Sequence, residues 1–198
     1  MGSVINVDGV ILAAGKSSRM GLVNKVQANL AGCSLLEIVV TKLKPQVDKL
    51  LINGDPAICG DKALVDQIEG FQGPLMGLYT TLLSDQLSAA DYLMMVPCDG
   101  PFLPDNLVAE LYQQIVQADA DIASVRYQGF AQPTFSLWHK RALPDIEQAL
   151  LVEKNGGFKP LLQRLNTLYL DWPEQNPSPF FNINTPQDLA LAEKLLCP

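Results

Sequence analysis

The sequence predicts an α/β protein, a single Rossmann-like domain in which a doubly wound, mainly parallel sheet carries helices on both faces. Three observations predict it. Short apolar runs without alternation, such as Val10, Ile11, Leu12, Ala13 and Ala14 and the run over 92–96, fit strands buried on both faces. Segments with helical apolar spacing alternate with these runs through the first two-thirds of the chain, the pattern of βαβ units. Polar or turn-forming residues follow the runs at their carboxyl ends, where right-handed crossovers put ligands: the loop after Ala14, then Asn53, Asp66 and Cys98-Asp99.

The elements follow in order. After the first strand and its loop, Ser34 stands before Leu35, Leu36, Val39, Val40 and Leu43 at helical spacing. Ser34 and Glu37 form a capping-box pattern, so a helix begins there, and Pro45 ends it. Residues 49–53 read as a second strand, closed by a turn at Asn53-Gly54-Asp55-Pro56. Leu64 and Val65 suggest a short strand ending at Asp66. A helix over 73–83 puts Leu75, Leu78, Tyr79 and Leu82 on one face. Residues 92–96 form a buried strand broken by Pro97, and a helix opens at Pro104 and runs through Val116 on the stripe Leu107, Leu111, Ile115. Strands over 122–127 and 134–138 flank a Gly-containing turn. Residues 143–151 and 158–165 read as helices, 168–172 as a late strand, and the Pro-rich stretch 173–179 as a surface loop. Thr185 caps a final helix with Pro186 at its first position.

Composition narrows the class. A chain of 198 residues can bury a real core within one domain spanning 1–198. Hydrophobic content of 48% with 18% charged residues excludes disorder. A net charge of -7 argues against a nucleic-acid surface, though local basic residues can still serve a pocket. Cys33, Cys59, Cys98 and Cys197 are scattered without a C-x-x-C pair, and His139 is the one histidine, so a reducing compartment is expected and a zinc site is not. No apolar run reaches the roughly 18 residues of a membrane span. No signal peptide precedes the first strand, and M-G-S-V-I-N lacks the Ser or Thr of a myristoylation signal. A cytoplasmic protein that engages neither membrane nor nucleic acid is expected.

The chemistry gathers around residues 8–25, D-G-V-I-L-A-A-G-K-S-S-R-M-G-L-V-N-K. The loop from Gly15 to Gly21 is Gly-flanked and basic, with Lys16 and Arg19 inside it and Lys25 behind it. Backbone N–H groups of such a loop can face an anion, and Lys and Arg add charge, so it reads as a phosphate-binding loop. It is not a Walker A loop, which needs a glycine where Val10 stands, and there is no G-x-G-x-x-G. Incidental surface basics after a strand are the other reading of this loop taken alone. Lys25 and Arg19 are the candidate triphosphate clamps, although solvated charge is the usual fate of Lys. Asp99 lies beyond the 92–96 strand between two prolines. It suits magnesium, a hard ion that takes carboxylate and phosphate oxygens, while an Asp opening a tight turn is the plainer reading. Asn182 and Asn184, two apart, would share a face in a strand, and polar turn residues before a helix would look the same. Cys98 reads as a small buried residue and His139 as structural or exposed.

L-A-A-G-K-S-S-R-M-G-x-x-x-K resembles the signature loop of nucleotidyltransferases that make sugar–nucleotides, cytidylyl lipid precursors and molybdenum-cofactor dinucleotides. With G-P-L-M-G at 73–77, P-C-D-G-P at 97–101 and N-I-N-T-P at 182–186, the chain resembles the molybdenum cofactor guanylyltransferase family over about 10–195. The resemblance implies attack of a phosphate oxygen of molybdopterin, or of its molybdenum-loaded form, on the α-phosphorus of GTP, with Mg2+ and loss of pyrophosphate. It implies nucleotide contacts at Leu12, Ala13, Ala14, Gly15, Lys25, Asn53, Asp66 and Asp99, metal ligation by Asp99, and a catalytic set of Arg19, Lys25, Asp99, Asn182 and Asn184. Lys154, Lys159 and Arg164 could meet the pterin phosphate. A monomer is expected, delivering its product to molybdoenzyme apoproteins or chaperones. Two positions depart from the family pattern: Ala14 stands where Gly is usual, and Asn24 where Asp is frequent. A CTP-using sister enzyme and a nucleotide-binding adaptor without catalysis are the alternatives.

Overall fold

A computed structural model of the protein describes residues 6–15, 25–66, 68 and 73–196. The first strand, β1 (Val7–Leu12), leads past the basic loop to a two-stranded hairpin, β2 (Asn29–Leu30) and β3 (Cys33–Ser34). Helix α1 (Leu35–Leu43) starts on the predicted capping box: Glu37 N donates to Ser34 Oγ at 3.2 Å, and Ser34 N donates to Glu37 Oε2 at 2.8 Å. Strand β4 (Leu50–Asn53) follows, and the expected turn at Asp55-Pro56 is the cap of a single helical turn, α2 (Pro56–Cys59). Then come α3 (Pro74–Leu82), β5 (Tyr92–Pro97), α4 (Leu107–Ala118), β6 (Ile122–Tyr127), β7 (Phe130–His139), α5 (Leu143–Glu147), α6 (Phe158–Arg164), β8 (Thr167–Trp172) and α7 (Pro186–Leu196).

Six strands make one sheet in the order β4-β1-β5-β7-β6-β8. β1 pairs in parallel with β4 and β5, and β6 in parallel with β8. β7 runs against both of its neighbours. Its reversal is made by Gln128 (φ 50°) and Gly129 (φ 80°), two consecutive left-handed residues of the kind that join strands through a two-residue turn. That turn is tight enough for β7 to begin at Phe130, four residues before the expected start.

Alternate residues of each central strand face opposite layers. Val7, Ile11, Met94 and Val96 pack with Val39 and Leu43 of α1 and with Leu107, Leu111 and Ile115 of α4. Val10, Leu93 and Met95 pack with Leu75 and Leu78 of α3, Ile146 of α5 and Leu161 of α6. The expected doubly covered, mainly parallel sheet is therefore present, closed by helices on both faces. A third apolar cluster lies beyond the sheet's end: Ala28, Leu30 and Leu35 meet Ile183 and Ala192, flanked by Phe102, Phe181 and Leu189.

Three local expectations need correction, and one open alternative is decided. Leu64 and Val65 do not form a strand; Leu64 makes one isolated parallel bridge to Asn53. The helix expected from Pro104 starts at Leu107, because Pro104, Asp105 and Asn106 are used in the turn that leads to it. The helix expected over 143–151 breaks after Glu147 into a π turn, Gln148–Val152. Residues 181–184 are irregular rather than a strand. No helix among the described residues is long and apolar enough to cross a membrane.

Candidate nucleotide site at the carboxyl edge of the sheet

Register brings the three central strands to a common end. Leu12 is opposite Asn53 on one side and Pro97 on the other. Past that line the chains stay joined: Ala13 N donates to Asn53 O at 2.7 Å, and Cys98 N donates to Leu12 O at 3.0 Å. Residues 13–15, 53–54 and 98–100 therefore converge, at the edge where parallel strands present ligand sites. Ala13 is buried, while Ala14 and Gly15 are exposed along the rim. Gly54 keeps the strand ends close, since a Cβ there would lie 2.8 Å from Cys59 Sγ and 3.2 Å from Ala13 Cβ.

Asn53 is 1% exposed at the end of β4. Its Nδ2 donates to Leu64 O at 3.1 Å and to Asp66 Oδ1 at 2.8 Å, so the bridge at Leu64 carries Asp66 back to the strand end. The second glycine of G-P-L-M-G has a packing reason. A Cβ on Gly77 would sit 2.3 Å from Asn53 Oδ1 and 2.8 Å from Leu12 Cδ2. Helix α3 can press against the ends of β1 and β4 only because residue 77 has no side chain.

The P-C-D-G-P turn meets N-I-N-T-P directly. Ile183 N donates to Asp99 O at 2.9 Å. Gly100 makes room for the meeting: a Cβ there would lie 2.5 Å from the Phe135 ring and 3.4 Å from Asn182 Oδ1. Asn184 Nδ2 donates to Asn182 O at 3.4 Å, so the two asparagines are linked across an irregular segment, not by a shared strand face. Thr185 and Asp188 then cap α7 reciprocally, with Thr185 N on Asp188 Oδ2 at 2.9 Å and Asp188 N on Thr185 Oγ1 at 3.1 Å.

The donor set suits one kind of metal. Among the described residues no group of three or more His, Cys, Asp and Glu side chains converges. The Asp99 carboxylate, and the buried Asn182 Oδ1 with no hydrogen-bond partner among the described residues, are hard oxygen donors beside Gly100. Such a pair fits an oxygen-seeking divalent ion that fills its shell with phosphate oxygens and water.

Other expected residues are placed differently. Arg19 and Lys16 lie outside the described residues. Lys25 opens a 3-10 turn, Lys25–Gln27, whose Val26 is buried in the core, and its side chain lies outside the described set. Arg164 is engaged within the fold: its Nη1 reaches Glu153 Oε1 at 2.6 Å, its Nη2 donates to Asp145 O at 3.0 Å, and its Nε lies 3.5 Å from Asp145 Oδ1. Lys159 is exposed on α6. Lys154 has φ 55° in a loop whose Gly156 O lies 3.7 Å from where a Gly73 Cβ would be, so that loop flanks the start of α3. His139 is structural, as expected: its Nδ1 accepts from Arg141 N at 3.1 Å, and its ring stacks edge-on against Tyr92. Cys98 is buried. Burial pushes the Cys59 thiol above its ordinary pKa, which keeps it protonated beside Gly54. Gly77, Thr80 and Gly100 were missed as site residues. The spacing of Gly77 and Thr80, three apart on one helix, is a signal that could have paired them.

Residues 9–168 match the MobA-like NTP transferase domain family. A molybdenum cofactor guanylyltransferase of Rhodopseudomonas palustris (strain BisB5) is 38% identical over 195 residues, covering 94% of this chain and 92% of that protein. One of Vibrio cholerae serotype O1 is 37% identical over 185 residues, covering 91% and 88%. The crystal structure of molybdopterin-guanine dinucleotide biosynthesis protein A from Archaeoglobus fulgidus superposes with a TM-score of 0.80 at 23% identity, covering 96% of this chain and 98% of that one.

Proposed function

The chain belongs to the MobA-like NTP transferase domain family and is a nucleotidyltransferase, and from that membership we propose that it transfers GMP from GTP to molybdopterin, releasing pyrophosphate and forming the guanine dinucleotide cofactor. The observation that carries the reading is the convergence of four separated stretches on one edge. The ends of β1 and β4 meet the Asp99 turn in register, and N-I-N-T-P is tied to that turn by Ile183.

Phosphoryl chemistry of this kind asks the protein for position and charge rather than for a nucleophile. Backbone N–H groups of Ala14 and Gly15 face the phosphates, and Lys25 and Arg19 neutralise the triphosphate. Asn53 and Asp66 take the nucleoside. Asp99 and Asn182 hold Mg2+, which when bound neutralises charge on the phosphate oxygens. Asn182 and Asn184 orient the incoming pterin phosphate against the Asp99 turn, so that its oxygen approaches the α-phosphorus opposite the departing pyrophosphate.

The test is transfer itself. Purified protein is incubated with molybdopterin, Mg2+ and labelled GTP or CTP, and kcat/KM is compared for the two nucleotides. A higher value for GTP is expected. A higher value for CTP would overturn the guanylyl assignment and leave the nucleotidyltransferase standing; nucleotide binding without transfer of either label would support an adaptor.

A further inference from the structure

Helix α3 carries two adjacent buried threonines, and their hydroxyls are used differently. Thr81 donates to Gly77 O at 2.7 Å, a bond inside its own helix. Thr80 instead donates across to Asp66 Oδ1 at 3.2 Å, the same oxygen that Asn53 Nδ2 holds at 2.8 Å. Thr80 is 5% exposed, so its hydroxyl is committed to a partner within the fold. Gly77 lies one helical turn earlier and brings this face of α3 against Asn53.

We propose that Thr80 is a positioning residue for nucleotide selection: with Asn53 it clamps one oxygen of Asp66, so that the other accepts an N–H or O–H donor of the nucleoside. The inference rests on the guanylyl-transfer reading for the identity of the nucleotide. Charge argues for the nucleoside as the target. A carboxylate aimed at the triphosphate would repel it, whereas the base and ribose offer neutral donors. A carboxylate free to rotate would spend binding energy on its own ordering; one held by two donors on a single oxygen has its plane fixed beforehand. The segment bearing Asp66 has no strand of its own, only the single bridge at Leu64, so side-chain bonds are what orient it.

The experiment is a double-mutant cycle read by calorimetric titration with Mg2+ and GTP on the full chain. Thr80→Val removes the hydroxyl at nearly constant volume and is expected to weaken GTP binding by about fivefold to tenfold, the scale of one ordinary hydrogen bond. Thr80→Ser keeps the hydroxyl and is expected to bind within about twofold of the parent. In an Asp66→Ala background, Thr80→Val is expected to add nothing. A merely structural threonine would lower affinity additively in both backgrounds, and that result would overturn the proposal, as would a Thr80→Val protein that binds GTP like the parent. If Thr80→Val does not fold, Thr80→Ala takes its place in the cycle and the same outcomes decide. The cycle is repeated with CTP: coupling seen with CTP and not with GTP would sink the guanylyl reading while leaving Thr80 its role.

Discussion

Asp99 gathers more of the site than any other residue, because its backbone and side chain serve different partners. The carbonyl accepts from Ile183 N at 2.9 Å and so fixes the N-I-N-T-P segment, while the carboxylate is the expected metal ligand. The two roles can be separated by substitution. Asp99→Ala leaves the carbonyl in place, so the variant is expected to melt like the parent while metal-dependent kcat falls by about a hundredfold or more, in line with several kcal/mol of lost charge stabilisation. A folded Asp99→Ala protein with parental turnover would remove the metal from this residue. Lys25 is the expected triphosphate clamp. Lys25→Ala is expected to weaken GTP strongly and guanosine little in parallel calorimetric titrations, since a point charge serves phosphates. Equal losses for the two ligands would make it a structural lysine.

At the scale of elements, α3 is set by what it lacks. Gly77 allows the helix to lie on Asn53 and Leu12, and a methyl group at 77 has no space to enter. Gly77→Ala is expected to destabilise the protein by about 1–3 kcal/mol, as overpacking does, and to raise KM for GTP because Asn53 must move. Thermal unfolding and steady-state kinetics on one preparation check both. Elements that announce themselves by local chemistry were legible in the sequence: Ser34 with Glu37 at α1, Thr185 and Pro186 at α7, and the apolar runs of β1 and β5 with polar residues at their carboxyl ends. Those placed by distant neighbours were not. The β2–β3 hairpin is two residues per strand, the π turn after Glu147 has no local signature, and Leu64 joins the sheet through one bridge. The same division runs through the site. Asn53 and Asp99 were legible because they end strands, whereas the bond from Thr80 to Asp66 exists only once α3 has been laid across the sheet. The ion pairs of Arg164 with Glu153 and Asp145 could not be read beforehand, because these partners meet it only through the fold.

At the scale of the whole molecule, the shifted carboxylates and the shifted histidine move in one direction. Hydrogen bonds from Ser34, Arg141 and Arg126 hold Glu37, Asp119 and Asp171 below the ordinary carboxylate range. Burial, reinforced by the charge of Arg141, holds His139 below its ordinary value of 6.5. In each case the folded protein takes up its proton at lower pH than the unfolded chain does, so stability is full at higher pH and is lost on acidification. The histidine contribution goes first, as pH falls below about 6.5, and the carboxylates follow in stronger acid. Urea midpoints are expected to be lower at pH 5.5 than at pH 7.5, with a shallower difference in His139→Asn, which keeps an acceptor for Arg141 N. An unchanged slope in that variant would take the histidine out of the account. The third apolar cluster adds a consequence of another kind. Ile183 and Ala192 close on Ala28, Leu30 and Leu35, so α7 and the segment before it are held to the edge of the candidate site from beyond the sheet. A chain cut after residue 181 would keep every strand and the Asp99 turn but lose Asn182, the Ile183 bond and α7. The framework of the candidate site and the segment that completes it are thus separable by one cut, so the truncated chain tells whether nucleotide binding needs the second of them.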